Sequence, residues 1–364
     1  MARNEIIRPL NRYAHVDAIR AFAVLLVVLS HAGLTKVPGD TGVTYFFVVS
    51  GFVITHVLIS ERIREGGFSI GQFYLKRAVK LGPPLLVILV IPTLIASIWI
   101  SINTFQFASQ VLFFYNWVQI NVGESHVTVL PGSTVVWSLA IEEQFYIVFA
   151  AIWLALSGRK NWPRYTLWLA IAAILYGTIT RVVLANADAT SDRLYRGTDS
   201  RLDAIALGIL IAVLWYFYSQ GLVKWLAAAG RDWALIVGVA LFVASFAPLG
   251  EWYESTFRHS IHAVSACLLI LYGMFEGTSR IRIHFNRVVT IRVVNVIGLA
   301  SYSIYLVHLE LFALFAPLTE TWSLLARVGA FVAIGLTAGI AIYYTIEVPA
   351  LRLRKRLQKP GTSG

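Results

Sequence analysis

Residues 15–34 read HVDAIRAFAVLLVVLSHAGL, and the stretch decides what solvent the chain is written for. It has the roughly 20 residues that a helix needs to cross the hydrocarbon core of a bilayer, and from Ala21 to Ser30 it is almost wholly aliphatic. Working outward, similar runs recur near 43–60, 82–100, 136–156, 165–184, 202–218, 233–248, 259–276, 294–316 and 326–346. The composition agrees: 364 residues are 58% hydrophobic and 13% charged, with a mean hydropathy of +0.71, where a soluble domain carries about 25% charge. The expected fold class is therefore all-α, a polytopic transmembrane helical bundle of about ten spans in one domain over 1–364, with no soluble domain. The second run, GVTYFFVVSGFVITHVLI, is short and rich in glycine and aromatics, which predicts a broken or re-entrant segment. Residues 105–120 are amphipathic and predict a segment at an interface.

Charge supplies orientation. An even number of spans puts both termini on one side; the segments on that side carry about 22 Lys and Arg against about 6 on the other, so both termini are expected to be cytoplasmic. The surplus of 30 Lys and Arg over 19 Asp and Glu is spread through short inter-span segments, a pattern for anionic lipid headgroups and not for nucleic acid. Its densest patches are LKRAVK, with Lys76, Arg77 and Lys80, and the tail RLRKRLQK. The first apolar run lacks a small-residue cleavage pattern and is followed by further spans, so no cleavable signal is expected. The single cysteine, Cys267, lies in an apolar run; it permits no internal disulfide and no cysteine metal site, and reads as a packing residue.

Ionisable groups inside spans are informative because each costs about 2.5–3.5 kcal/mol at a helix centre. Arg20 and His31 are eleven residues apart, about 20° of rotation and about 16 Å of rise on a helix, and Asp17 lies one turn before Arg20 on nearly the same face. One reading makes Asp17 and Arg20 an interfacial ion pair and His31 an interhelical hydrogen-bonding group. The other has Arg20 bind an anionic or carbonyl group while His31 acts as base or nucleophile near pH 7. In WSLAIEEQFY, Glu142 and Glu143 point about 100° apart, so one can orient an imidazole while the other meets an arginine; the alternative leaves both acids at the headgroups. Ser138 lies one turn before Glu142, with Tyr146 one turn after. Asp199, Arg201 and Asp203 head the sixth run, where ion pairing for structure alone is the competing reading. Tyr302, Tyr305 and His308 share helical spacing, and His308 reads equally as a buried hydrogen-bonded residue or a catalytic one. Glu347, Pro349 and Arg352 read as a structural helix end.

These stretches, taken together, resemble the acyltransferase-3 family of membrane acyltransferases. HVDAIRAFAVLLVVLSH is similar to that family's signature of Arg, ten residues, His, with Arg20 and His31 in the two positions. GVTYFFVVSGFVI, FYLKRAVKLGP, WSLAIEEQFY, SRLDAIALG, ASYSIYLVH and IEVPALR resemble further blocks in family order, from about Asp17 to Arg352. The departures are Ala21 for a common Gly, Thr44 and Tyr45 for a usual Asp-Leu pair, Gly82 for a usual Arg, and Glu310 for a common Pro.

The resemblance implies transfer of an acyl group, usually acetyl from acetyl-CoA, to a hydroxyl of a carbohydrate or lipid-linked glycan of a bacterial envelope, in the cytoplasmic membrane. Relatives also acylate macrolides. Acyl-CoA enters as donor substrate, with no permanently bound cofactor. Lys76, Arg77 and Lys80 would neutralise its phosphates, Arg20 would hold the arm or thioester region, and His31 would meet the acyl carbon. His31 either deprotonates the acceptor hydroxyl, with Glu142 or Glu143 holding its tautomer, or carries the acyl group as an acyl-imidazole. Ser138, Tyr146, Asp17, Arg201, Asp203 and His308 would support the site. A thiolate leaves readily, so the chemistry calls for no metal. The rival class is a transporter or flippase of lipid-linked sugars; it predicts paired broken segments in two halves, and no internal repeat is present. Acceptor identity and oligomeric state are not encoded in any motif.

Overall fold

The computed structural model describes residues 13–123, 126–228 and 232–357, and every regular element among them is helical. In chain order these are α1 (Ala14–His31), α2 (Gly39–Glu65), α3 (Ile70–Leu85), α4 (Ile91–Ala96), α5 (Thr104–Val111), α6 (Tyr115–Val122), α7 (Val136–Ser157) and α8 (Trp162–Asn186). There follow α9 (Ser191–Arg196), α10 (Thr198–Ala228), α11 (Trp233–Ala244), α12 (Glu251–Met274), α13 (Arg280–Val289), α14 (Arg292–Phe315), α15 (Leu324–Ile342) and α16 (Val348–Leu357). A π-helical turn, Leu86–Val90, joins α3 to α4, and another, Tyr343–Glu347, joins α15 to α16.

The chain is a polytopic helical bundle, and among the described residues eight helices are long and apolar enough to cross a membrane. Two of the ten expected spans fall short of that measure. α11 has 12 residues, about 18 Å of helix against a hydrocarbon core of about 30 Å. α12 has 24 residues but opens with Glu251, Glu254 and Arg258. The second expected span is not broken: α2 runs unbroken for 27 residues. LKRAVK lies inside α3, not in a connecting loop. Part of the basic tail and the first twelve residues lie outside the described residues.

Two compact units divide the fold. The first takes the residues up to Ala23, then Asp40–Phe68 and Ile141–Gly298. Its helices meet through glycines. A Cβ on Gly51 of α2 would strike the Ile205 carbonyl of α10, and one on Gly208 of α10 would lie 2.6 Å from Phe52 N of α2. With no side chain between them the backbones come close, and α2 stays helical through residues that would weaken an isolated helix by about 1 kcal/mol each. Arg181 of α8, fully buried, grips Asp203 of α10 with Nη1 3.1 Å from Oδ1 and Nη2 2.7 Å from Oδ2. It also donates to Ser260 Oγ at 2.6 Å and to the Thr256 carbonyl at 2.6 Å on α12. A buried charge is tolerated only when paired and hydrogen-bonded in this way.

The second unit takes Val24–Gly39, Ser69–Ala140 and the chain from Leu299 on. Leu85, Ile88 and Leu89 pack with Val136, Leu139, Leu306 and Val307 in its core. α15 runs against α14 through GLTAG, residues 335–339: a Cβ on Gly335 would lie 3.2 Å from His308 Cβ, and one on Gly339 would lie 2.5 Å from Ile304 Cα. Small residues four apart allow this approach where no hydrophobic drive separates helix from lipid. Glu347, buried in the second π turn, accepts from Ser303 of α14 at 3.2 Å.

Candidate active site

The sequence ASYSIYLVH at 300–308 puts Tyr305 and His308 three residues apart on α14, hence on one face. His308 is fully buried, and its Nδ1 lies 2.8 Å from the Tyr305 carbonyl and 3.2 Å from that of Ile304. A carbonyl only accepts, so Nδ1 carries the proton, and a neutral His308 offers a lone pair at Nε2. That Nε2 lies 2.8 Å from Nδ1 of His31, the last residue of α1, with the two rings nearly parallel at 13°. His31 Nδ1–H therefore donates to His308, and the remaining ring nitrogen of His31, Nε2, holds an unshared pair. His31 is exposed. The result is a ring nitrogen with an unshared pair on an imidazole oriented by a second imidazole, which is itself locked by backbone, a geometry that could serve a nucleophile or base with its orienting partner.

Ser138 completes the support. Its hydroxyl lies 2.7 Å from Tyr305 OH, and Tyr305 OH donates to the Val135 carbonyl at 3.2 Å, so the start of α7 holds the turn of α14 whose carbonyl receives His308. Gly132, at φ +86°, reaches the same helix one turn on; any Cβ there would strike the Leu309 carbonyl and Glu310 N, and its left-handed backbone suits glycine. Lys76, Arg77 and Lys80 belong to this unit too, half-buried on α3. Spacings of three and four place them along one side of the helix.

The other expected site residues lie in the first unit. Arg20 is half-buried on α1 and Asp17 is buried beside Gly298, whose Cβ would strike the Asp17 carbonyl. Glu142 Oε2 accepts from Ser50 at 2.9 Å and from the buried Tyr146 at 3.4 Å, and Glu143 is buried. Asp203 answers Arg181, a residue that the reading of the sequence did not single out. Arg201, fully buried, donates through Nη2 to Thr44 Oγ1 at 2.6 Å and lies over the rings of Tyr195 and Phe47. Thr44 thus gives a neutral acceptor at the position where the family usually has an acid.

A family model described as an acyltransferase domain matches residues 13–346. The chain belongs to the acyltransferase-3 family. Among the family's curated relatives, the O-acetyltransferase OatA of Staphylococcus aureus (strain NCTC 8325 / PS 47) is 28% identical over 302 residues, which cover 80% of this chain and 49% of the relative. The peptidoglycan O-acetyltransferase OatA of Listeria monocytogenes serovar 1/2a is 28% identical over 316 residues, 84% of this chain and 50% of the relative. The chain spans about half the length of the curated relatives it matches. No solved structure matches it.

Set against family membership, the His31–His308 pair was only half visible in sequence. His31 stood out in the Arg-ten-His signature, whereas its partner is 277 residues away and His308 had equal claim to be a buried structural group. The only available signal was chemical: a second histidine at a helix position flanked by tyrosines inside an apolar span.

Proposed function

We propose that the chain is a multi-pass membrane O-acyltransferase of a bacterial envelope that moves an acetyl group from acetyl-CoA to a hydroxyl of a cell-wall carbohydrate. The observation that carries this reading is the His31–His308 pair, Nδ1 to Nε2 at 2.8 Å, which leaves His31 Nε2 unprotonated at the surface of α1. In the proposed step, Nε2 takes the proton of the acceptor hydroxyl as its oxygen attacks the thioester carbonyl. The carbon–sulfur bond breaks, and the thiolate leaves with the proton returned by His31. His308 shares the positive charge on the imidazolium through the hydrogen bond and holds its tautomer. Lys76, Arg77 and Lys80 meet the phosphates of the donor, and Arg20 holds the thioester arm. The names of the two relatives support acetyl as the group and, for the Listeria protein, peptidoglycan as acceptor.

Purified protein in proteoliposomes, given acetyl-CoA labelled in the acetyl group and cell-wall glycan fragments, tests the reading. Label in an alkali-labile ester on the glycan is the expected result. Label that stays on CoA with every glycan, while labelled glycan alone crosses the bilayer, would replace the enzyme with a transporter.

A further inference from the structure

At the start of α2, Asp40 faces two histidines of α12. One ligand-capable atom from each of Asp40, His259 and His262 falls within 4.8 Å of the other two. Asp40 Oδ2 and His259 Nδ1 are 3.9 Å apart. Two ligands on one zinc ion, each about 2.0–2.2 Å from it, sit about 3.4 Å from each other in a tetrahedron, so the ligand atoms need to draw together by at most about 1.4 Å.

The protonation pattern is what a metal site requires. Ser245 Oγ donates its only proton to the Phe242 carbonyl at 2.6 Å, so it can only accept from His262 Nε2, 2.6 Å away. Nε2 therefore carries the hydrogen and Nδ1 the lone pair. That Nδ1 meets the Thr41 hydroxyl at 3.2 Å. Ser245 thus holds the outer nitrogen, Nε2, and fixes the tautomer and ring orientation, as a second-layer group does behind a ligating imidazole. His259 is only 6% exposed, and its Nδ1 is buried with no hydrogen-bond partner, a costly state for a polar nitrogen that a bound cation would relieve. Arg258 is held first by Glu254, at 2.9 Å, and reaches Asp40 only at 3.4 Å, so the Asp40 carboxylate keeps capacity for a cation.

We propose that Asp40, His259 and His262 form a binding site for a divalent transition metal, zinc by its donor set, with the Thr41 hydroxyl or a water completing a tetrahedron and the metal tying the first turn of α2 to α12. Two imidazoles and one carboxylate are ligands of zinc sites, and imidazole disfavours the hard ions magnesium and calcium.

The experiment uses the full chain without a histidine tag, purified in detergent, loaded with zinc chloride and dialysed. Metal is then counted by mass spectrometry, and cobalt chloride is used in parallel for its visible absorption. The expected result is one zinc per chain and an intense tetrahedral cobalt band, with at least about 100-fold weaker binding in His259→Gln and His262→Gln and no change in His31→Ala. Wild-type protein that retains no zinc and shows only the weak octahedral cobalt spectrum overturns the proposal, even where the variants fail to purify. Zinc that is lost in His31→Ala but kept in His259→Gln overturns it too, because the metal would then sit on the His31–His308 pair.

Discussion

Replacing Gly339 with alanine tests how α15 sets the position of His308. The added Cβ would lie 2.5 Å from Ile304 Cα and 2.7 Å from Ile304 N, whereas carbon atoms rest about 3.5–4.0 Å apart. Both obstacles are backbone, so no rotamer relieves the clash and α14 must move away by about 1 Å. Ile304 is one turn before His308 and its carbonyl is 3.2 Å from His308 Nδ1, so the shift carries the imidazole with it. Overpacking of this kind costs about 1–3 kcal/mol, and a misplacement of about 1 Å at a reacting group costs about 100-fold in rate. Gly329 on the same helix is the control. Nothing lies within 4 Å of a Cβ there, so Gly329→Ala should be neutral or stabilising by up to about 1 kcal/mol. Thermal unfolding and acetyl transfer, measured on both variants in the same proteoliposomes, give the comparison. Equal stability and equal rates for Gly339→Ala and Gly329→Ala would refute the claim that α15 sets the position of His308.

Other outcomes follow from the buried charges and the basic face of α3. Asp203→Leu should destabilise the protein by about 3–5 kcal/mol by stranding Arg181, and Arg181→Met added to it should recover most of that loss; denaturation of the single and double variants checks this. Arg77→Ala with Lys80→Ala should raise the KM for acetyl-CoA much more than that for the glycan, and the gap should narrow as salt rises. Ser138→Ala removes one hydrogen bond from Tyr305 and should cost about 0.5–1.5 kcal/mol of stability, with a smaller loss of transfer than His308→Ala in the same assay.

The bilayer origin of the fold was legible because apolar length is a strong constraint on a chain with few charges. The glycines of α2 misled in an instructive way. In water Gly51 would weaken a helix, but here its missing side chain lets α10 approach, and the tertiary contact outweighs the local preference. The basic residues of α3 suggested a loop for a related reason: long cationic side chains extend from a helix to an interface while their stems lie against apolar surface. Arg181 stayed hidden near the end of an apolar run, where an arginine reads as a flanking charge, although it is fully buried against Asp203. His31 was legible from its type and spacing alone. That His308 accepts from it was not, because the contact joins the end of α1 to α14, and pairing between helices far apart in sequence leaves no local pattern.

Single-turnover acetyl transfer by the His31→Ala protein, with acetyl-CoA binding measured on the same sample, bears most directly on the account. The predicted result is a rate lower by about 10²–10⁴-fold in a protein that inserts, stays monodisperse and binds acetyl-CoA like the wild type. Near-normal transfer would contradict it, because the unprotonated Nε2 of His31 would then have no part in the chemistry.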